Sequence, residues 1–334
     1  MKIAIHINKG FAECWIAYCK DKNISYKIVN CYDNNIIEQL SDCDALMWAH
    51  HQADYKDCLF AKQLLYSLEI SGKKVFPNFN TCWHFDDKVG QKYLLESIGA
   101  PLVPSYVFYS KKEALDWVNK TTFPKVFKLR GGAGSANVKL AKTKKQATSL
   151  INKAFGRGFS QFDKLGNLKE RIRKFKEGKG SFWGLFKGIA RLFITTEFAK
   201  MHANEKGYVY FQDFIPDNKF DIRIVVVGDK ACGIKRLVRK NDFRASGSGN
   251  STQKKSEIND KCVRIAFELN HKLKTQSIAI DFVFKNNQPL IVETSYGFVT
   301  KVYEGYWDSN MVWYEGNCSP LDWVIDNLIG KITK

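Results

Sequence analysis

Two successive apolar runs near the C-terminus, Ile278-Ala279-Ile280-Asp281-Phe282-Val283-Phe284 and Leu290-Ile291-Val292-Glu293-Thr294-Ser295, each carry a single acid. A carboxylate inside an apolar strand needs a cation or hydrogen-bond donors to satisfy it. Far upstream lies a basic, glycine-broken loop, Lys128 to Ser135. Together the acids and the loop predict two walls of a site for a nucleotide and magnesium. On the acids alone, strand ends facing water explain the pattern as well.

With 334 residues, 45% of them hydrophobic and 14% aromatic, the chain can bury more than one core. Two or three domains are expected at roughly 150 residues each. No apolar run approaches the roughly 20 residues that span a bilayer, and Met1-Lys2-Ile3-Ala4-Ile5 enters a strand pattern at once, which predicts no signal peptide. The expected location is the cytoplasm. Nine cysteines (Cys14, Cys19, Cys31, Cys43, Cys58, Cys82, Cys232, Cys262, Cys318) are odd in number, lack a close CxxC pair and read as reduced, mostly structural thiols. His50, His51 and His84 lack zinc-finger spacing to them. A net charge of +18 implies an anionic partner: nucleic acid, a membrane surface or a phosphate-bearing small molecule. The excess is largely regional, since residues 152–206 hold 13 Lys and Arg against 5 Asp and Glu.

Residues 1–80 alternate strand-like runs (2–7, 26–30, 45–48, 74–76) with helix-like runs (12–22, 58–70), the rhythm of parallel βαβ units in a small open α/β domain. Asp86-Asp87-Lys88 precedes a helix ending near Gly99, and a strand follows at Tyr106 to Tyr109. A helix is expected over 111–119 and a strand over 123–129. The loop Arg130-Gly131-Gly132-Ala133-Gly134-Ser135 then turns into a strand at 136–139 and opens no helix, which argues against both a dinucleotide fingerprint and a Walker loop. Residues 155–200 read as an inserted basic helical hairpin. From Tyr208 onward strands dominate (208–211, 221–227, 231–237 and the two acidic runs), with a helix over 256–272.

The ordered set Asp87-Lys88, Phe123 to Lys128 with its glycine loop, Gln212-Asp213-Phe214-Ile215, Asp221-Ile222-Arg223, Lys235-Arg236, Phe243-Arg244, Asp281 and Glu293-Thr294-Ser295 resembles the ATP-grasp superfamily. The nearest likeness is to the ribosomal-protein glutamate ligases and related carboxylate–amine ligases, over about residues 85–300. The resemblance implies an α/β plus α+β architecture. An N-terminal open α/β domain (1–84) precedes a central ATP-grasp subdomain (85–211) that includes the basic helical insert at about 155–205. A C-terminal ATP-grasp subdomain (212–334) carries the metal site, with ATP held between the two.

The same resemblance implies the roles. Lys88 and Lys128 match the two phosphate-contacting lysines, each a point charge with several donors. Gly131, Gly132, Gly134 and Ser135 form the loop whose amides cover phosphates. Gln212 to Ile215 corresponds to the hinge, where backbone groups of Asp213 and Ile215 read the adenine edge and Phe214 packs beside the ring; Asp221 matches the ribose contact. Arg223, Lys235, Arg236 and Arg244 converge on the transferred phosphate, with Arg236 and Arg244 the preferred transition-state stabilisers. Asp281 and Glu293 match the magnesium ligands, and manganese is an alternative ion. Ser295 stands where the family usually has Asn, a shorter neutral oxygen ligand that weakens the second metal position. His50 and His51, after a strand of the first domain, are candidates for the substrate cleft.

The reading is an ATP-dependent ligase that joins a carboxylate to an amine through an acyl phosphate. Its substrates are expected to be small molecules, among them a sugar uronate, sugar nucleotide, lipid-linked glycan or other surface-polysaccharide precursor. A kinase that phosphorylates one small molecule and stops there is the alternative. A nucleic-acid-binding module is disfavoured because no recognised motif accompanies the charge. The aromatic, basic insert fits peripheral contact with an anionic membrane, at its inner face, as well as a covered helix face. Homo-oligomerisation stays open.

Overall fold

The first 80 residues place four short strands, β1 (Ile3–His6), β2 (Tyr26–Val29), β3 (Ala45–Met47) and β4 (Lys74–Phe76), in one parallel sheet ordered β2-β1-β3-β4. The computed structural model describes the chain apart from residues 9, 133–136, 162–165, 167, 169–170, 174, 176–177, 179–180, 194–199, 240–243, 246–249, 300–301 and 331–334. Helices α1 (Phe11–Asp21) and α3 (Tyr55–Ile70) are the expected crossovers, and Asp54 caps α3 by accepting from the Lys56 amide. Two one-turn helices, α2 (Ile36–Gln39) and α4 (Phe79–Cys82), are additional. The chain leaves β1 to one side for β2 and returns to the other for β3, so a crevice opens at the carboxyl ends of β1 and β3.

Helix α5 (Lys88–Ser97) starts on Asp87, whose carboxylate accepts from the Gly90 amide. The central sheet follows, with β5 (Ser105–Phe108), β6 (Lys125–Lys128), β7 (Lys139–Ala141) and β8 (Val209–Asp213) ordered β5-β8-β6-β7 and antiparallel throughout. Helices α6 (Lys111–Lys120) and α7 (Lys144–Ala154) cover one face over Phe127, Phe211, Ala147 and Ile151. Helix α7 was not expected from the sequence. Helix α8 (Phe182–Phe193) lies within the basic insert.

The third sheet is antiparallel, in the order β13 (Gln288–Ser295), β12 (Ser277–Lys285), β9 (Phe220–Val227), β10 (Lys230–Leu237), β14 (Tyr303–Asp308) and β15 (Trp313–Cys318), with β11 (Ser251–Thr252) paired to β10. Helix α9 (Asp260–Leu273) packs on one face together with Leu95 of α5. The other face meets the N-terminal domain: Val225, Val227 and Cys232 share a core with Ile3, Ile5, Trp15 and helix α10 (Pro320–Ile329). Strands β14 and β15 and helix α10 were absent from the sequence reading. Helix α10 is tied to the first domain by the Tyr18 hydroxyl, which donates to Asp326 at 2.9 Å.

Packing allots some segments differently from the expected boundaries. Strand β8 continues to Asp213 within the central sheet, whereas residues 88–103 pack on the third sheet, where the Val103 amide donates to the Ile291 carbonyl at 2.9 Å. Among the described residues, no helix is long and apolar enough to cross a membrane.

Candidate active site

Strand β9 changes character along its length. Alternate residues share a face, so Asp221, Arg223, Val225 and Val227 lie on one side; the valines enter the core beneath the N-terminal domain and the charged pair sits at the open end. Across the sheet, Arg223 stands opposite Asp281, Asp281 opposite Glu293, and Asp221 opposite Arg236. Arg223 donates to both Asp281 oxygens at 2.6 and 2.8 Å. Arg236 donates to Asp221 at 2.7 and 2.6 Å and also lies 2.9 Å from Asp281. Burial alone would raise the Asp281 pKa, but the two guanidiniums outweigh it and hold the carboxyl well below the usual range. Burial pushes Asp221 up to about 6 despite Arg236. Between Asp281 and Phe282 the β12–β13 register slips by one residue, leaving Val292 extra beside Glu293.

The facing wall comes from the central sheet. Val126, Lys128 and Gln212 share its open face, and the Lys128 ammonium donates to Gln212 Oε1 at 2.7 Å. Lys128 is buried, and desolvation lowers its pKa to about 8 even with Glu293 and Asp281 near enough to oppose the shift. Lys88, at the start of α5, donates to the Gly132 carbonyl at 2.7 Å. Gly132 has a φ of 111°, open to glycine, and its amide donates to both oxygens of Asp86 at 2.8 and 2.9 Å. The amides of Arg130 and Gly131 donate to Glu205 at 3.3 and 3.4 Å, and Arg130 also donates to the Tyr208 hydroxyl at 2.6 Å. Carboxylates thus accept from the described amides of this loop, those of Arg130, Gly131 and Gly132, an arrangement of donors suited to anions.

Between the walls runs a cleft whose apolar slot includes Val103, Val126, Phe214, Ile215, Val283 and Val292. Its polar lining holds Lys88, Lys128, Gly132, Gln212, Asp213, Asp221, Arg244, Asp281 and Glu293. The Asp213 amide donates to the Pro104 carbonyl at 2.8 Å and its carboxylate pairs with Lys125 at 2.5 Å on the opposite face, so neither group is free for the cleft that Asp213 lines. Beyond the cleft lies a chamber of about 760 Å³ that shares Lys88, Gly132 and Glu293 with it. The crevice at the ends of β1 and β3 forms the outer wall, through His6, Asn8, His50 and His51. Arg223 and Ser295 line the chamber.

Several sequence-derived residues are not where they were expected. Lys235 and Arg236 are consecutive on β10 and therefore point to opposite faces. Arg236 joins the charged row, while Lys235 pairs with Glu257 at 2.6 Å and lies over the Phe220 ring, so Lys235 is removed from the convergent set. Arg236 is held by Asp221 and Asp281 and does not line the cleft; Arg223 is the guanidinium at the chamber. The Ser295 hydroxyl accepts from the Gly297 amide at 3.0 Å and faces the chamber, away from the slot. Gly134, Ser135 and Phe243 fall outside the described residues. Asp86, Glu205 and Tyr208 escaped the sequence reading; the Asp86-Asp87 doublet was the available signal, since one acid suffices to cap α5.

Residues 195–311 match the family described as RimK-like ATP-grasp domain. Three solved structures align over most of the chain. D-alanine–D-alanine ligase from Bacillus anthracis complexed with ATP is 14% identical, with 89% of this chain and 86% of that chain covered and a TM-score of 0.55. A RimK domain ATP-grasp protein from Sphaerobacter thermophilus DSM 20745 is 14% identical over 88% and 90%, with a TM-score of 0.53. The biotin carboxylase domain of Hydrogenobacter thermophilus 2-oxoglutarate carboxylase, in complex with MgADP, ADP and bicarbonate, is 12% identical over 98% and 69%, with a TM-score of 0.57. The chain has an ATP-grasp fold. No curated protein sequence matches it. The RimK-like ATP-grasp match spans Asp221, Arg223, Asp281 and Glu293, whereas Lys88 and Lys128 lie before it.

Among the described residues of this ATP-grasp cleft, no group of three or more His, Cys, Asp and Glu side chains forms a metal cage. Asp281 and Glu293 form a facing pair of hard oxygen donors, which fits a magnesium ion that completes its shell with phosphate oxygens and water. Arg223 and Arg236 make three contacts to the Asp281 carboxylate, one on Oδ1 and two on Oδ2, which leaves acceptor capacity on Oδ1 for such an ion.

Proposed function

We infer that the protein is an ATP-dependent carboxylate–amine ligase that forms an amide and releases ADP and phosphate. The observation that carries this reading is the junction at Lys88, Gly132 and Glu293, where the cleft opens into the chamber. A nucleotide in the cleft would direct its terminal phosphate there, toward a carboxylate in the chamber. The Asp213 carbonyl and the Ile215 amide are suited to the adenine edge, with Phe214 and the valines against the ring. Asp281 and Glu293 would hold magnesium, which shields charge on the phosphate oxygens when bound.

In the first step a substrate carboxylate oxygen attacks the terminal phosphorus, the bond to the bridging oxygen breaks, and ADP leaves. The amine then attacks the acyl carbon, inorganic phosphate departs, and the amine proton passes to solvent or a nearby base. Lys128, Lys88 and Arg223 stand where negative charge develops, and as preset cations in a water-poor site they favour the transition state. Arg244 reaches the cleft from beyond β10.

The chamber lies within the range of roughly 300–1,000 Å³ typical of ligand sites, room for more than a free amino acid. Its outer wall offers hydrogen-bonding groups, Asn8, Tyr32, His51 and Gln52 together with the acids Asp54 and Asp57, which suit sugar hydroxyls, while Arg223 and Lys88 lie at the inner end for a carboxylate. A uronate-bearing sugar nucleotide or related surface-polysaccharide precursor, joined to an amino acid in the cytoplasm, is the substrate class this supports.

The test is ADP release with ATP and magnesium across a matrix of amino acids and uronate acceptors, with mass spectrometry of products. Turnover that needs both an acid and an amine, and is lost in a folded Glu293→Gln variant, is expected. A stable phosphorylated product with no amine requirement, or undiminished turnover in the variant, would refute the ligase.

A further inference from the structure

The basic insert leaves the central subdomain at Phe159 and returns at Glu205, two residues bridged by a pair of backbone hydrogen bonds at 2.9 and 2.8 Å. Glu205 also holds the glycine-loop amides, so the root of the insert abuts the rim of the nucleotide cleft. Between root and return, helix α8 faces two ways. Gly184 and Gly188, four residues apart, lie on the side turned to the preceding segment. There Arg171 donates to the Gly184 carbonyl at 2.8 Å, and a Cβ added at Gly188 would meet Arg171 Cδ at 2.7 Å and Leu168 Cδ1 at 3.2 Å. The small residues allow this close approach.

Phe182, Phe186 and Ile189 follow helical spacing on the opposite side, with Trp183 flanking them. Their exposures are 67%, 60%, 44% and 74%, values that mark a face left uncovered by the described residues. Phe175, 42% exposed, extends the patch from the preceding segment and makes an edge contact with Phe182 at 6.4 Å. Residues 164–191 carry nine Lys and Arg against two Glu, so the apolar face is set in a strongly cationic segment.

We propose that this face docks on an anionic phospholipid surface, with Trp183, Phe182 and Phe186 entering the headgroup layer and the surrounding cations engaging lipid phosphates and carboxylates. The patch is the outward side of a helix, with Phe182, Trp183, Phe186 and Ile189 exposed along it. Bulky aromatics bordered by Lys and Arg are the pattern of helices that lie in a membrane interface. Docking there would hold the glycine-loop rim of the cleft near the membrane. The proposal is independent of the ligase reading, because it concerns a surface outside the cleft.

The test is flotation of the full-length protein with vesicles of phosphatidylcholine alone or mixed with phosphatidylserine, at low and high salt. Trp183→Ser, Phe186→Ser and Lys187→Glu variants are compared, each checked for native circular dichroism. The protein should float with the mixed vesicles at low salt and release at high salt. Each aromatic variant should bind about tenfold more weakly, as expected for one large apolar side chain kept in water. Lys187→Glu should weaken binding to the mixed vesicles alone. ADP release on soluble substrates should be unchanged in all three. No flotation, equal binding to both vesicle types, or aromatic variants that bind like the parent would overturn the proposal. So would finding that the face instead joins two copies of the chain, seen as a dimer in solution that Phe186→Ser dissociates.

Discussion

Lys128 is where the ligand-free protein carries a cost that the site requires. Its ammonium is buried, one hydrogen bond to Gln212 compensates in part, and its pKa falls from 10.5 to about 8, with burial as the main cause. At about 1.4 kcal/mol per pKa unit, the shift corresponds to about 3 kcal/mol of destabilisation at neutral pH. Lys128→Met removes the buried charge but leaves Gln212 Oε1 without its donor, a loss of about 1 kcal/mol. The variant should therefore be about 2 kcal/mol more stable than the parent at neutral pH without nucleotide. The pH dependence gives a second, sharper check. A cation whose folded pKa lies below its unfolded value carries its full cost below the folded pKa and sheds it as pH rises toward the unfolded one. The advantage of Lys128→Met should thus shrink between pH 8 and pH 10.5 and have gone at the upper end. Urea unfolding of both proteins across that range measures it, with nucleotide-induced stabilisation as the companion readout, expected to be lost in the variant. A variant less stable than the parent at neutral pH, or an advantage independent of pH, would refute the argument.

The same titration predicts that ATP binding at about pH 8.5 takes up a proton fraction, because phosphate charge restores the Lys128 ammonium; calorimetry in buffers of different ionisation enthalpy reads it, and zero uptake counts against the placement of phosphate at Lys128. Asp281→Asn takes away the carboxylate shared by Arg223 and Arg236, leaves buried guanidiniums under-paired, and should lower unfolding free energy by about 3–5 kcal/mol in urea. Burial, helped by Lys62, pushes the His50 pKa down to about 3. The unfolded chain therefore binds a proton that the folded one refuses, and stability falls as pH drops below 6.5; His50→Leu should flatten that slope by about 1.4 kcal/mol per pH unit between 6.5 and 3, measured by urea unfolding. Gly305→Ala would drive a methyl into the Trp313 ring and the Tyr314 carbonyl, with an expected loss of about 3 kcal/mol in the same assay.

What could be read in the sequence depended on whether local pattern or long-range pairing decided the outcome. The strands and long helices of residues 1–80 are legible because apolar runs and helical runs of ordinary length alternate there, and periodicity fixes both the element and its buried face. The acids of β12 and β13 were legible because a charge in an apolar run requires an explanation, and the structure sets Asp281 directly opposite Glu293. Helix α7 and strands β14 and β15 were overlooked for a different reason. Lys144 to Ala154 buries only Ala147, Ile151 and Ala154, and β15 is mostly exposed, so neither announces a core in its composition.

Parity alone turns Lys235 away from the charged row. Once Asp221 and Arg223 share a face with the valines of β9, antiparallel pairing admits only one of two consecutive basic residues on β10 to that face, and Arg236 takes the place opposite Asp221. The partners of the glycine loop were not accessible in this way, because Asp86 and Glu205 come from 46 and 74 residues away in sequence to its amides. These same carboxylates give the loop a physical logic: backbone amides beside the cleft need acceptors, and acids from flanking segments supply them. Under the proposed function, nucleotide binding at this loop would be an exchange of one set of anions for another, in which the displaced acids have to be accommodated nearby. Asp86 faces the chamber, where a released carboxylate would meet solvent. Glu205 sits at the return of the insert and is held by Tyr208 and Gln161, so its release would couple the loop to the hairpin that carries the aromatic face.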